Sequence, residues 1–205
     1  MLKLMGRITS INVRKVTWAL DELGLAYDRE DWGLPLRDPH DPAFLALNPN
    51  GQVPVLVEGE FVLWESNAIL IYLSERERAL VPERLEQRAP VWQWLSWQSS
   101  ELNPSWGYAV QALIRKVPGV DDPARIAAAM TKWGTKNALL AQHLSDGREY
   151  MAGDMFSIAD IALGLSVHRW LSIPADKPEF PELVAYHQRL KGRVAGARWM
   201  SDATP

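Results

Sequence analysis

Between Asn48 and Asn67 the chain reads Asn-Pro-Asn-Gly-Gln-Val-Pro-Val-Leu-Val-Glu-Gly-Glu-Phe-Val-Leu-Trp-Glu-Ser-Asn, and no other stretch restricts the possible folds as much. An Asn-Pro-Asn-Gly turn runs into the pair Val53-Pro54. Two β-branched runs on either side of Glu58-Gly59-Glu60 then read as a hairpin, and Glu65-Ser66 opens a helical pattern. Proline has no N–H and pushes the residue before it into extended geometry, so Val53 presents an N–H and a C=O that no helix uses. Ser66 stands as the N-cap ahead of Asn67, Ala68, Ile69, Leu70, Ile71, Tyr72 and Leu73, leaving the N–H groups of the first turn pointing outward. A helix start of this kind attracts a carboxylate. An extended edge and a carboxylate site in one stretch suit a short peptide with a free carboxylate; a plain hairpin followed by an ordinarily capped helix fits the same residues. Sequence does not fix whether the Val53–Pro54 bond is cis or trans.

At 205 residues the chain is long enough to bury a sizeable core, in one domain or two small ones. A net charge of -3 and a pI near 5.8 give no reason to expect nucleic acid or an anionic membrane as the main partner. The apolar run at Met1 to Gly6 is too short for a signal peptide, and no run reaches the length of a transmembrane helix, so a cytoplasmic protein is expected. The chain has no cysteine, which excludes disulfides, zinc-thiolate sites and any mechanism through a protein thiol.

Leu2 and Leu4 fit a short first strand, followed by a loop from Gly6 to Ile11. From Asn12 the pattern is helical: Val13, Val16, Leu20 and Leu23 fall on one face, Arg14, Lys15, Asp21 and Glu22 on the other, and Gly24 ends the run. Leu25 to Trp32 reads as a second strand, parallel to the first. Pro35, Pro39 and Pro42 restrict residues 33 to 47 to loop and one short helix. After the charged run 74–78 the character changes. From Ala89 onward there is almost no strand signal; Val91, Trp94, Leu95, Gln98 and Leu102 make one helical face, Ile126 to Leu144 another, and Pro181 to Gly192 a last helix. Ser157 and Asp160 fit an N-cap and its N3 partner, with Phe156 and Ile161 at the staple positions. The expected domains are 1–77, a linker 78–88, and an all-helical unit 89–205.

Asn48 to Pro54, then Glu65-Ser66, then a helical unit holding Ser157-x-x-Asp160 after Gly153-Asp154, together resemble a bacterial, serine-type (theta-like) cytosolic glutathione S-transferase, over nearly the whole chain. The resemblance implies a thioredoxin-like α/β N-terminal domain (βαβ-ββα), an all-α C-terminal domain and a homodimer. It also implies glutathione as co-substrate, no metal, and a small hydrophobic electrophile as acceptor. Val53 would pair with the cysteinyl backbone beside a cis Pro54, Glu65 and Ser66 would hold the γ-glutamyl end, and Gln52 and His40 would reach the glycyl end. Trp106 and Tyr108 would line the electrophile pocket, while Gln98, Ser99 and Glu101 would reach the partner subunit's site.

The resemblance places thiol activation in the loop Thr9-Ser10-Ile11-Asn12. A free thiol of pKa near 8.5 is only about 3% thiolate at pH 7, and lowering it by two units takes about 2.7 kcal/mol. One charge-assisted hydrogen bond supplies roughly 1.5 to 3 kcal/mol, and a helix N-terminus adds to it. Ser10 is the expected donor, Asn12 the alternative or second donor and Thr9 the third; all three also suit ordinary helix caps. Lacking cysteine, the protein is not expected to form a mixed disulfide with glutathione, though reduction of a substrate by two glutathione molecules stays open; conjugation is the default reaction that the resemblance implies. Dehalogenation, isomerisation or peroxide reduction are variants, and a non-catalytic binding module is the alternative.

Overall fold

The computed structural model describes residues 1–201, which fall into two compact units meeting at Val81 and Pro82. The first is built on a four-stranded sheet of order β2-β1-β3-β4. β1 (Leu2–Met5) pairs parallel with β2 (Tyr27–Glu30), and the crossover between them is α1 (Ile11–Glu22), as the strand-helix-strand reading requires. β3 (Val55–Glu58) runs antiparallel to β1 and folds back on β4 (Phe61–Trp64). Glu58 faces Phe61 across the turn, where Gly59 takes φ +61, a conformation that costs glycine nothing. Side chains alternate across the strands. Met5 and Val55 therefore pack with Trp32 and Phe44 on one face, the last on the short α2 (Pro42–Leu45), while the directly paired Leu4 and Leu56 turn to the other.

Two local features differ from expectation. The cap of α3 (Ser66–Glu77) is Glu65 rather than Ser66: its carboxylate accepts the Ala68 N–H at 2.9 Å, the N3 position that a longer side chain reaches from one residue further back. Ser66 thereby becomes the first helical residue. Arg14 and Lys15, on the face of α1 opposite its apolar residues, are each 1% exposed, because α1 is enclosed on all sides from Val13 to Leu20.

The second unit is helical, with no strand among its described residues. α4 (Leu85–Trp97) begins inside the expected linker; Pro90 lies within it and removes one ladder donor, so the sequence pattern marks the helix only from beyond the proline. A wide π turn (Gln98–Leu102) joins α4 to α5 (Asn103–Ala109), and a second (Val110–Ile114) follows. α6 (Pro123–Leu144) starts at the Asp122 cap, whose side chain accepts from Ala124 and Arg125. In α7 (Ile158–Ser172) every residue from Ile158 to Trp170 is buried, so this apolar helix is the axis of the unit. The expected capping box starts it. α8 (Pro181–Lys191) and α9 (Val194–Trp199) complete the packing. Edge-to-face contacts link Trp106 to Trp133 at 5.3 Å and Trp133 to Trp170 at 5.0 Å, tying α5, α6 and α7 together. Among the described residues no helix is long and apolar enough to cross a membrane.

Candidate functional site

The turn before β3 is built by Asn48, which is 2% exposed. Its Oδ1 accepts from the Asn50 N–H at 3.0 Å and from Asn50 Nδ2 at 2.9 Å, and its own amide donates to the Gln52 carbonyl at 2.7 Å. An asparagine bonding its own backbone two residues on is the usual device for holding such a turn. The chain then enters the Val53–Pro54 bond, which is cis, and passes into β3. Among the described residues no hydrogen bond engages the Val53 N–H or C=O, so the extended edge stays open.

At the far end of the hairpin Glu65 stands at φ +75, a region that costs a non-glycine residue of order 1–3 kcal/mol and is found where function constrains the backbone. Between these features lies a cleft of about 260 Å³ lined by Asn12, Asn48, Asn50, Gln52, Val53, Pro54, Trp64, Glu65 and Ser66. One wall is an open backbone edge. Another wall is the N-terminus of α3, whose first turn presents backbone N–H groups and the positive end of the helix dipole. The third is Asn12, in the first turn of α1.

The structure thus brings together Asn12, Gln52, Val53, Pro54, Glu65 and Ser66. Ser10 sits at the N-cap position of α1 in extended geometry, and its hydroxyl makes no capping hydrogen bond, so it is not spent on the role that a serine there normally has. His40 does not line the cleft; its exposed ring bonds Asp38 at 3.1 Å and stands over Gly51, where an added Cβ would come within 3.1 Å of it. In the second unit Trp106 is 6% exposed and packs on Trp133, and Tyr108 accepts the Asp122 N–H at 3.3 Å beneath the Arg125 guanidinium. Gln98 is buried, donating to Asn103 and Ser166, and Glu101 pairs with Lys136 at 2.7 Å. Asn48, Asn50 and Trp64 also line the cleft, and sequence alone does not mark them for it. The Asn-Pro-Asn-Gly pattern signals the turn but not that its side chains face a cleft. Among the described residues there is no cluster of three or more His, Asp or Glu side chains suited to a metal ion.

Gly6, directly after β1, stands at φ +156 with its N–H on the Glu30 carbonyl at 2.8 Å. A Cβ there would meet Val13 at 2.4 Å and Val53 at 3.2 Å, forcing α1 and the open edge apart. Gly6→Ala is therefore expected to lower stability by about 1–3 kcal/mol, the usual cost of overpacking. A thermal melt that matches the unmodified protein would show that this contact relaxes freely.

Comparison with known proteins agrees with this fold. Residues 9–76 match the family model of the glutathione S-transferase N-terminal domain, and residues 123–189 that of the C-terminal domain. Glutathione S-transferase GstB of Escherichia coli (strain K12) is 33% identical, the match covering 95% of each chain. The chain belongs to the glutathione S-transferase family of enzymes. Its N-terminal unit is the thioredoxin-like α/β domain of that family and its second unit the helical domain. A theta class glutathione S-transferase from Xanthomonas axonopodis pv. citri, solved with glutathione bound, matches with a TM-score of 0.92 at 37% identity, over 97% of this chain and 96% of that one. The family also contains redox enzymes: Disulfide-bond oxidoreductase YfcG of E. coli is 29% identical over 90% of this chain and 87% of its own length.

Proposed function

We propose that this protein binds glutathione in the cleft and transfers its thiolate to small hydrophobic electrophiles. The observation that carries the reading is the union, in one cleft, of the unpaired Val53 backbone, the α3 N-terminus at Glu65-Ser66 and the first turn of α1. The Val53 N–H and C=O would pair with the cysteinyl residue as a strand edge pairs with an added strand. Ser66 and the N-terminus of α3 would take the γ-glutamyl carboxylate, Glu65 the γ-glutamyl amine, and Gln52 the glycyl end, with His40, outside the cleft over Gly51, as the further candidate for that end. That alignment directs the thiol towards the start of α1. There Ser10 would donate to the thiolate, Asn12 would add a second donor, and the helix N-terminus would add its dipole. The second unit would hold the acceptor, with Trp106 and Tyr108 contributing. The protein would act as a cytoplasmic, detoxifying homodimer.

A redox reading has one specific support, the similarity to the named disulfide-bond oxidoreductase. Without cysteine in this chain, reduction of a disulfide would consume two glutathione molecules, the first forming a mixed disulfide with the substrate and the second releasing glutathione disulfide and the second thiol. Retention on immobilised glutathione and turnover of a chloro-aromatic acceptor are the expected results. Binding with disulfide reduction but no conjugation would favour the redox reading. Binding without any turnover would make the protein a non-catalytic module, and no binding at all would remove the proposal.

A further inference from the structure

Two consecutive cations, Arg14 and Lys15, lie in the first half of α1, each only 1% exposed. Charged side chains are almost never buried to that degree without a specific arrangement. Burial pushes the Arg14 guanidinium down to about 10, which leaves it charged at neutral pH and reports how dry this region is. Something must repay the placement of Lys15.

Its ammonium donates to Asn67 Oδ1 at 3.1 Å and approaches Ser66 Oγ at 3.5 Å. Both acceptors belong to the first turn of α3, and Ser66 is on the cleft wall. An ammonium has donors only, so towards Lys15 the Ser66 oxygen can offer nothing but a lone pair. The hydroxyl proton is then directed elsewhere. Within the protein its other neighbour is Glu65 Oε1, at a long 3.5 Å, while the Glu65 carboxylate is already committed through Oε2 to the Ala68 N–H. The hydroxyl is thus a donor weakly held and poised to turn to a stronger acceptor arriving in the cleft.

We infer that Lys15 is a positioning residue for the anionic end of the bound peptide, acting through Ser66 and Asn67. The inference rests on the glutathione reading of the cleft. Lys15 fixes the polarity of the Ser66 hydroxyl so that it donates to the γ-glutamyl carboxylate. It also places a buried positive charge behind the first turn of α3, reinforcing the helix N-terminus that faces the carboxylate. It touches neither the thiol nor the acceptor.

The test compares two peptides on the full-length protein by calorimetry and steady-state kinetics: glutathione, and its analogue lacking the α-carboxylate of the γ-glutamyl residue. Lys15→Met is expected to weaken glutathione binding about tenfold or more, the scale of one charge-assisted hydrogen bond, while leaving kcat at saturating glutathione within about twofold. Its affinity for the decarboxylated analogue should match that of the unmodified protein, and Lys15→Arg should restore much of the loss for glutathione. If Lys15→Met does not fold, Lys15→Gln, which keeps a donor and removes the charge, carries the same expectations. Unchanged glutathione affinity overturns the inference, as does an equal loss for both peptides, which would indicate a merely structural lysine. If the unmodified protein binds neither peptide, the glutathione reading fails and the inference falls with it; this outcome is recognisable because it needs no variant.

Discussion

Replacing Asp160 by alanine is expected to destabilise the protein by about 4 kcal/mol, lowering the melting temperature by roughly 10 °C. The carboxylate is fully buried and accepts four hydrogen bonds: from the Met151 N–H at 2.8 Å, the Ser157 N–H at 2.9 Å, the Ser157 hydroxyl at 3.0 Å and the Tyr186 hydroxyl at 2.9 Å. Burial pushes the Asp160 carboxyl upward in pKa, and the donors pull it back. Burial, followed by the neighbouring carboxylate, also drives Tyr186 well above its ordinary value, so the phenol keeps its proton and stays a donor. Truncation strands buried donors on α8, on the loop at Met151 and at the start of α7, each costing about 1–3 kcal/mol when left unmade. Tyr186→Phe removes one donor and leaves the other three in place, so about 1 kcal/mol is expected there. A melt of Asp160→Ala within 1 kcal/mol of the unmodified protein would show that these donors find water or other partners.

Replacing Ser10 by alanine should cut the conjugation rate at pH 7 by roughly twentyfold while leaving glutathione affinity within about threefold. If the bound thiol is lowered by two units, about three quarters of it is thiolate at pH 7; returning it to 8.5 leaves about 3%. The sign follows from which form reacts. The rate of the variant should keep rising through a higher pH range, and its deficit should shrink once both proteins hold glutathione as thiolate. A pH profile of kcat, with an ultraviolet titration of the bound thiolate, reads both. Asn12→Ala should give a smaller shift in the same direction, since Asn12 lines the cleft as the second donor to the thiolate. An unchanged profile in Ser10→Ala with a full shift in Asn12→Ala would transfer the activating role to Asn12.

The N-terminal unit was legible because its signals are local and mutually consistent. Period-two strands, Gly59 in a two-residue turn and Gly24 after a helix each admit few conformations. The start of α3 was misplaced by one residue because cap statistics favour serine, whereas Glu65 reaches Ala68 from a backbone conformation that no propensity anticipates. The burial of Arg14 and Lys15 was not legible, because a charge pattern separates two helix faces but cannot show that a helix is enclosed on every side. In the second unit the two π turns lie between segments that each look regular. A π turn holds an extra residue, so a face counted at 3.6 residues per turn loses phase beyond Gln98, and the Trp97 and Trp106 sides of the run cannot be related by spacing. Of the cleft, the backbone edge and the α3 start were readable. The participation of Asn48, Asn50 and Trp64 was not, because it depends on how a turn closes over a strand.

The open edge at Val53 has a consequence for how this site tolerates change. Its N–H and C=O belong to every non-proline amino acid, so substitution of the side chain leaves the pairing groups in place. Genetic drift at that position would be filtered by packing alone. On the glutathione reading, selection would instead fall on the residues that hold the edge extended and open, Pro54 and Asn48, through the backbone that they shape.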